Sequence, residues 1–196
     1  MQTVLLTNQQ TFVLTPDQDT FYLLLLDQNA GGGKIQVDLS LTKNDLHCQL
    51  LFIGILKSKS DWQLISNIKH LAPNSTCLTE VYLSQMNESK VDYFGRIYID
   101  SQAAHTQSFL KEQSLIMGQD TYNRSRPTLE IFNHRVQASH SASISRPDET
   151  ALFYLMSRGL TKIEAEKMVE KAFFNHVLDS IKVKKARQLI EDYLPC

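Results

Sequence analysis

PTLEIFNHRVQASHSASISRPDETALFYLMSRG, residues 127 to 159, passes from a strand pattern to a helix pattern within one short segment. Leu129, Ile131 and Val136 read as strand and lead to Ser139-His140-Ser141-Ala142-Ser143. A helix with an abrupt start and stop follows. Pro147 suits a first helical turn, where its missing N–H would be unpaired anyway, and Asp148 and Glu149 complement the positive end of the helix dipole. Gly159 stands where a left-handed cap is needed, and Leu152, Phe153, Leu155 and Met156 supply an apolar face. The chain therefore divides here, into a β core over residues 1–145 and a helical subdomain over 146–196.

Upstream, the period is two. Ile35, Val37, Leu39 and Leu41 alternate with Gln36, Asp38 and Ser40. Leu46, Cys48, Leu50 and Phe52 alternate in the same way, as do Val91, Tyr93, Ile97 and Ile99. This spacing puts one set of side chains inside and the other in water. Further apolar clusters at Thr11–Leu14, Phe21–Leu26, Trp62–Ile68, Leu78–Leu83, Leu115–Met117 and Leu129–Phe132 give many short strands. A sandwich, a barrel and a β-solenoid all fit that count, because each half-buries its strands alike. Downstream, Thr161 and Glu164 form a capping box. Ala165, Met168, Val169, Ala172, Phe173, His176 and Val177 then recur at helical spacing. Leu178, Ile181, Ala186, Leu189, Ile190 and Tyr193 predict a final helix stopped by Pro195.

Net charge is −1 over 196 residues, with 42% hydrophobic and 21% charged residues. Mixed charge predicts no long-range field for nucleic acid or an anionic membrane. The opening MQTVLLTNQQ has no secretory pattern, and the longest apolar run, Phe21–Leu26, is too short to span a bilayer. The three sequon matches at Asn74, Asn87 and Asn123 are read as chance. Cys48, Cys77 and Cys196 are odd in number and lack CxxC spacing, which favours a reducing, cytoplasmic-type compartment.

The stretch from Pro127 to Gly159 resembles the SufB/SufD core family of the SUF iron–sulfur cluster assembly system. Three blocks carry the resemblance in order: Pro127-Thr128-Leu129-Glu130-Ile131, then Ser139 to Ser143, then Leu152-Phe153-Tyr154-Leu155-Met156-Ser157-Arg158-Gly159-Leu160. It is firm from Ser114 to Phe174, weak from His70 to Ile99, and absent before. It implies a right-handed parallel β-helix with a C-terminal α-helical subdomain, here in a shortened form. It also implies an accessory role in cluster assembly, with no catalysis by this chain and at most a transient Fe–S cluster or iron. The implied partners are a SufC-like ABC ATPase on the helical tail and a SufB-like subunit, or a second copy, along a β-helix edge.

His140 is the first candidate site residue. The resemblance implicates the histidine of this block in building the nascent cluster, and imidazole ligates iron or carries protons near neutral pH. The alternative is a strand-end histidine tying the β-helix to the helical tail. SufD members commonly carry a cysteine where this chain has Ala138. SufB members follow the histidine with glutamate, here Ser141, and place a further cysteine in the stretch matching Ser114–Tyr122, which has none. These departures imply a chain closer to SufD, stripped of its accessory thiol, or a dimerisation module without cluster chemistry. Phe153, Tyr154, Arg158 and Gly159 are the candidate partner-binding residues.

Cys48 and Cys77 share faces with leucine and valine and read as small buried apolar residues. Gly31-Gly32-Gly33-Lys34 invites a phosphate-loop reading, but Ile35 opens a strand where such a loop needs a helix, so it is read as a flexible turn. His47, His70, His105 and His134 lack metal spacing and read as surface or satisfied histidines. The basic run from Lys182 to Arg187 reads as the wet face of a helix.

Overall fold

The computed structural model describes residues 1–7, 10–28 and 30–194. Eleven strands come first: β1 (Gln2–Leu6), β2 (Thr11–Leu14), β3 (Thr20–Leu25), β4 (Gly32–Leu41), β5 (His47–Leu56), β6 (Ser60–His70), β7 (Thr76–Gln85), β8 (Ser89–Ile99), β9 (Gln107–Ile116), β10 (Tyr122–Ile131) and β11 (Gln137–Ser145). Three helices follow: α1 (Glu149–Ser157), α2 (Lys162–Ser180) and α3 (Lys184–Tyr193).

Odd-numbered strands form a six-stranded sheet and even-numbered strands a five-stranded one, and each strand pairs in parallel with the strand two along. A chain that alternates between two parallel sheets is a solenoid, each coil stacked on the one before. The sandwich and barrel alternatives fail because their antiparallel neighbours are missing from both sheets.

Side chains stack in columns along the coil axis. Leu24, Phe52 and Val81 form one column, Leu39, Ile68 and Ile97 another. These residues are buried and belong to a single inner core. The corners repeat too. Asp45, Asn74 and His105, spaced 29 and 31 residues apart, all adopt left-handed backbone. Each donates its N–H to the next coil, to the carbonyls of Pro73, Ala104 and Arg135. Short polar side chains tolerate this conformation better than branched ones, and they recur where the chain turns.

A second core explains why Phe21–Leu25 and Leu50–Leu56 run almost without polar interruption. The outer face of the six-stranded sheet, at Phe21, Leu23, Leu51, Ile53 and Tyr82, is covered by Phe174, Val177, Leu178, Ile181, Ala186 and Ile190 of the helical tail. Strands buried on both faces need apolar residues at both parities. Tyr193 fixes the end of α3: its hydroxyl donates to the Leu26 carbonyl at 2.7 Å and accepts from the Ile55 N–H at 3.1 Å.

Several local expectations need correction. Gly32, Gly33 and Lys34 are not a loose turn but the start of β4, in register with Asp61, Trp62 and Gln63. Gly32 is required there, since a Cβ would lie 2.1 Å from the Asp61 carbonyl oxygen of the neighbouring coil. Pro147 lies one residue outside the helix, because Asp148 is the N-cap and accepts from the Thr150 N–H. On α2 the inward face is set by Glu170, Phe174, Val177 and Leu178, while Met168, Ala172 and His176 face out. Leu178 and Ile181 belong to α2 and its cap rather than to α3. Pro195 and Cys196 lie outside the described residues.

Candidate functional site at the C-terminal mouth of the solenoid

The inner columns change character at the coil made by β9 and β10. The column Leu24, Phe52, Val81 continues into Glu112 and then Ala142. Trp62 and Val91 continue into Asn123, and Leu64 and Tyr93 into Ser125. Three apolar columns thus give way to polar side chains at one level of the lumen. A hydrophobic core has no use for this, since a buried polar group must find a partner or lose the free energy of its hydration.

The partners are incomplete. The Asn123 amide donates to Gln85 Oε1 at 2.7 Å and to Ser114 Oγ at 2.8 Å, and Ser114 donates to Glu112 Oε1 at 2.8 Å. Glu112, Ser114 and Gln85 are fully or almost fully buried. Yet Glu112 Oε2, Asn123 Oδ1 and Ser125 Oγ are buried with no hydrogen-bond partner among the described residues. Three unsatisfied oxygens at one level make a site that favours a donor or a cation.

His140 lies just beyond. It occupies the middle of β11, not the strand's end, and pairs with Leu110, while the next inward position, Ala142, pairs with Glu112. Strand geometry puts the Cα atoms of His140 and Glu112 roughly 8 Å apart, one coil up and two residues along. His140 is exposed, and its ring has no hydrogen bond or ion pair among the described residues. The structural role as a tie to the helical tail has no hydrogen bond or ion pair of this ring behind it among the described residues. Among the described residues no three His, Cys, Asp or Glu side chains converge to hold a metal, so any ion at this mouth needs ligands from elsewhere as well.

The last strand of each sheet is an edge. β11 ends the six-stranded sheet and β10 the five-stranded one, and nearly all of β11 is exposed. Their free N–H and C=O groups can extend into another chain. The next element in the chain, α1, packs against α2, and none of its residues is buried: Phe153 is 72% exposed and Tyr154 55%. The helix is nonetheless well formed. Leu160 N–H returns to the Leu155 carbonyl and Gly159 N–H to that of Met156, a Schellman closure that Gly159 permits with φ of 100°. The Arg158 guanidinium lies 5.2 Å from the Tyr154 ring and donates to its hydroxyl, so it does not cap the helix carbonyls. All four predicted partner-binding residues thus share one exposed helix and its turn.

The SUF system FeS cluster assembly SufBD core domain profile matches residues 22–173. The chain belongs to the SufBD family. The match starts well before the motif blocks, so family likeness reaches coils in which no motif is visible. Iron–sulfur cluster assembly SufBD family proteins of Staphylococcus aureus strains USA300 and N315 are each 32% identical to it over 104 residues, as is that of Staphylococcus haemolyticus strain JCSC1435. The aligned segment covers 53% of this chain and 22% of those relatives. Membership agrees with the parallel solenoid and its helical tail. No described helix is long and apolar enough to cross a membrane.

The remaining candidates resolve simply. Cys48 and Cys77 are in register on β5 and β7 and sealed in the inner core. Burial pushes the Cys48 thiol up to about 11 and that of Cys77 higher still, so neither is a ready thiolate. His47, His105 and His134 are exposed. His70 is buried and satisfied, its two nitrogens 2.7 Å from Ser75 Oγ and 2.9 Å from Ser108 Oγ. Lys182, Lys184, Lys185 and Arg187 are all exposed.

Proposed function

We propose that this chain is a non-catalytic accessory of iron–sulfur cluster assembly, on the SufD side of the family, that works by pairing. Its C-terminal coil would meet a SufB-like subunit or a second copy through the edges of β10 and β11. A nascent cluster or its iron is then cargo at the joint. His140 would supply one ligand and the Glu112 carboxylate a second, with thiolates coming from the partner, since both described cysteines are sealed away. A SufC-like ATPase would dock on the exposed face of α1 at Phe153, Tyr154, Arg158 and Gly159. The observation that carries this reading is the change of three apolar columns to Glu112, Asn123 and Ser125 beside two strand edges.

The test is anaerobic reconstitution with ferrous iron and sulfide, alone and with a SufB-like partner. A broad charge-transfer absorbance that is lost in His140→Ala supports the cargo role. A colourless complex that still forms supports a second reading, a dimerisation module without cluster chemistry. That reading is favoured by Ala138 and Ser141, which put no thiol beside His140. Failure to capture either a SufB-like subunit or a SufC-like ATPase would sink both.

A further inference from the structure

A groove of about 1040 Å³ opens between the helical tail and the solenoid. On α2 it is lined by Glu164, Lys167, Met168, Lys171, Phe174 and Leu178, which recur three or four residues apart and so form one stripe along the helix. Lys57 and Met86, from the corners that lead into β6 and β8, make the opposite wall, and Arg187 of α3 stands at one end. The dimensions select the occupant. Between Glu164 and Asp179 the helix advances roughly 22 Å, so the volume corresponds to a mean cross-section of about 47 Å². A second helix, about 10–12 Å across, needs roughly twice that area. An extended peptide would pass by width, but α2 uses its N–H and C=O groups within its own turns and would leave the peptide backbone unpaired. A single alkyl chain is narrow and has no such groups to satisfy.

The charges select the head group. Each carboxylate on the wall already has a partner: Glu164 bonds Thr161 in the capping box, Glu170 bonds Ser84, and Asp179 and Glu191 pair with Arg187. Lys57, Lys167 and Lys171 make no ion pair and donate no hydrogen bond among the described residues. Lys167 has only the longer-range attraction of Glu164. Beneath them the floor is apolar, with Phe174 and Leu178 buried and the adaptable thioethers of Met86 and Met168 beside them. We infer that this groove binds a single-chain amphiphilic anion, a long-chain fatty acid. Its alkyl chain lies over Met86, Met168, Phe174 and Leu178, and its carboxylate among Lys57, Lys167 and Lys171. Neither the cargo role nor the pairing role requires this site.

The probe is cis-parinaric acid, a fatty acid that fluoresces in an apolar site. Titration of the full chain should saturate at one equivalent. Laurate and then myristate should displace it, the longer acid about tenfold more tightly for its two further methylenes. Methyl laurate, with no charge to offer the lysines, should bind about tenfold more weakly than laurate. The double variant Lys167→Gln, Lys171→Gln should weaken laurate to the level of its ester and leave the ester unchanged. Met168→Trp, at an exposed position on the rim, should obstruct the groove and abolish uptake of both at unchanged melting temperature. Lys182→Gln, exposed and outside the groove, should change nothing. Non-saturable uptake, equal affinity for acid and ester, or indifference to Met168→Trp would each overturn the assignment. Binding to phosphatidylglycerol vesicles without uptake of the free acid would overturn it as well.

Discussion

Ser84 on β7 donates its hydroxyl hydrogen to the Glu170 carboxylate on α2 at 2.5 Å, across 86 residues of sequence, with both side chains buried. The bond joins the solenoid wall to the helical tail at the edge of the second apolar core. Glu170→Ala removes the acceptor and leaves a buried hydroxyl unpaired, a loss of about 1–3 kcal/mol. The loss should be local. Amides of α2 and α3 are expected to exchange faster with solvent while those of β5 and β7 keep their protection. Equal loss of protection in tail and coils would show that the two unfold as one unit.

His70 makes the fold acid-sensitive. Burial pulls its imidazole down from 6.5 to about 4. Below about pH 6.5 the unfolded chain takes up a proton that the folded chain refuses until about pH 4. The contribution is therefore complete above pH 6.5 and falls by roughly 1.4 kcal/mol per unit through that window. The total is about 3 kcal/mol. Urea unfolding near pH 7 and near pH 4.5 should show the drop in the wild type and a much smaller one in His70→Gln.

The thiols should be inert in the folded state. With Cys48 pushed up to about 11 and Cys77 higher, and both sealed in the core, alkylation by iodoacetamide near pH 8 should wait for the coils to open. Peptide mass spectrometry checks this: both stay unmodified in buffer and are labelled in denaturant. Rapid labelling of Cys48 in buffer would mean that β3 and β5 separate readily in the native state.

Alternation made the strands legible in the sequence, as at Ile35–Leu41, and the capping box at Thr161 and Glu164 made the start of α2 legible. The coil was not legible from residues alone. Partners such as Phe52 and Val81 stand about one coil apart and share only their apolar character, and a sandwich would alternate identically. The helix face was misjudged because α2 buries Glu170, whose charge hides it from a search for apolar periodicity, and exposes Met168 and Ala172. Glu112 was passed over for a related reason. In Phe109-Leu110-Lys111-Glu112-Gln113-Ser114 it looks like one polar residue among several. Its parity with Leu110 and Ser114 was the available signal, because that parity points inward.

Glu112 separates stability from function most directly. An inward carboxylate with one unsatisfied oxygen is a liability to folding: an apolar side chain of similar volume removes its desolvation cost, against the smaller cost of leaving the Ser114 hydroxyl without that acceptor. Glu112→Met should therefore hold or raise the melting temperature of the isolated chain. If the carboxylate is kept for iron, the same variant should bind less ferrous iron under anaerobic conditions, and His140→Ala should act in the same direction without the gain in stability. A residue that stabilises the protein when removed and weakens its cargo when removed is there for the cargo. If instead Glu112→Met unfolds the chain, the polar level of the lumen is an internal support, and the ligand role of Glu112 must be abandoned.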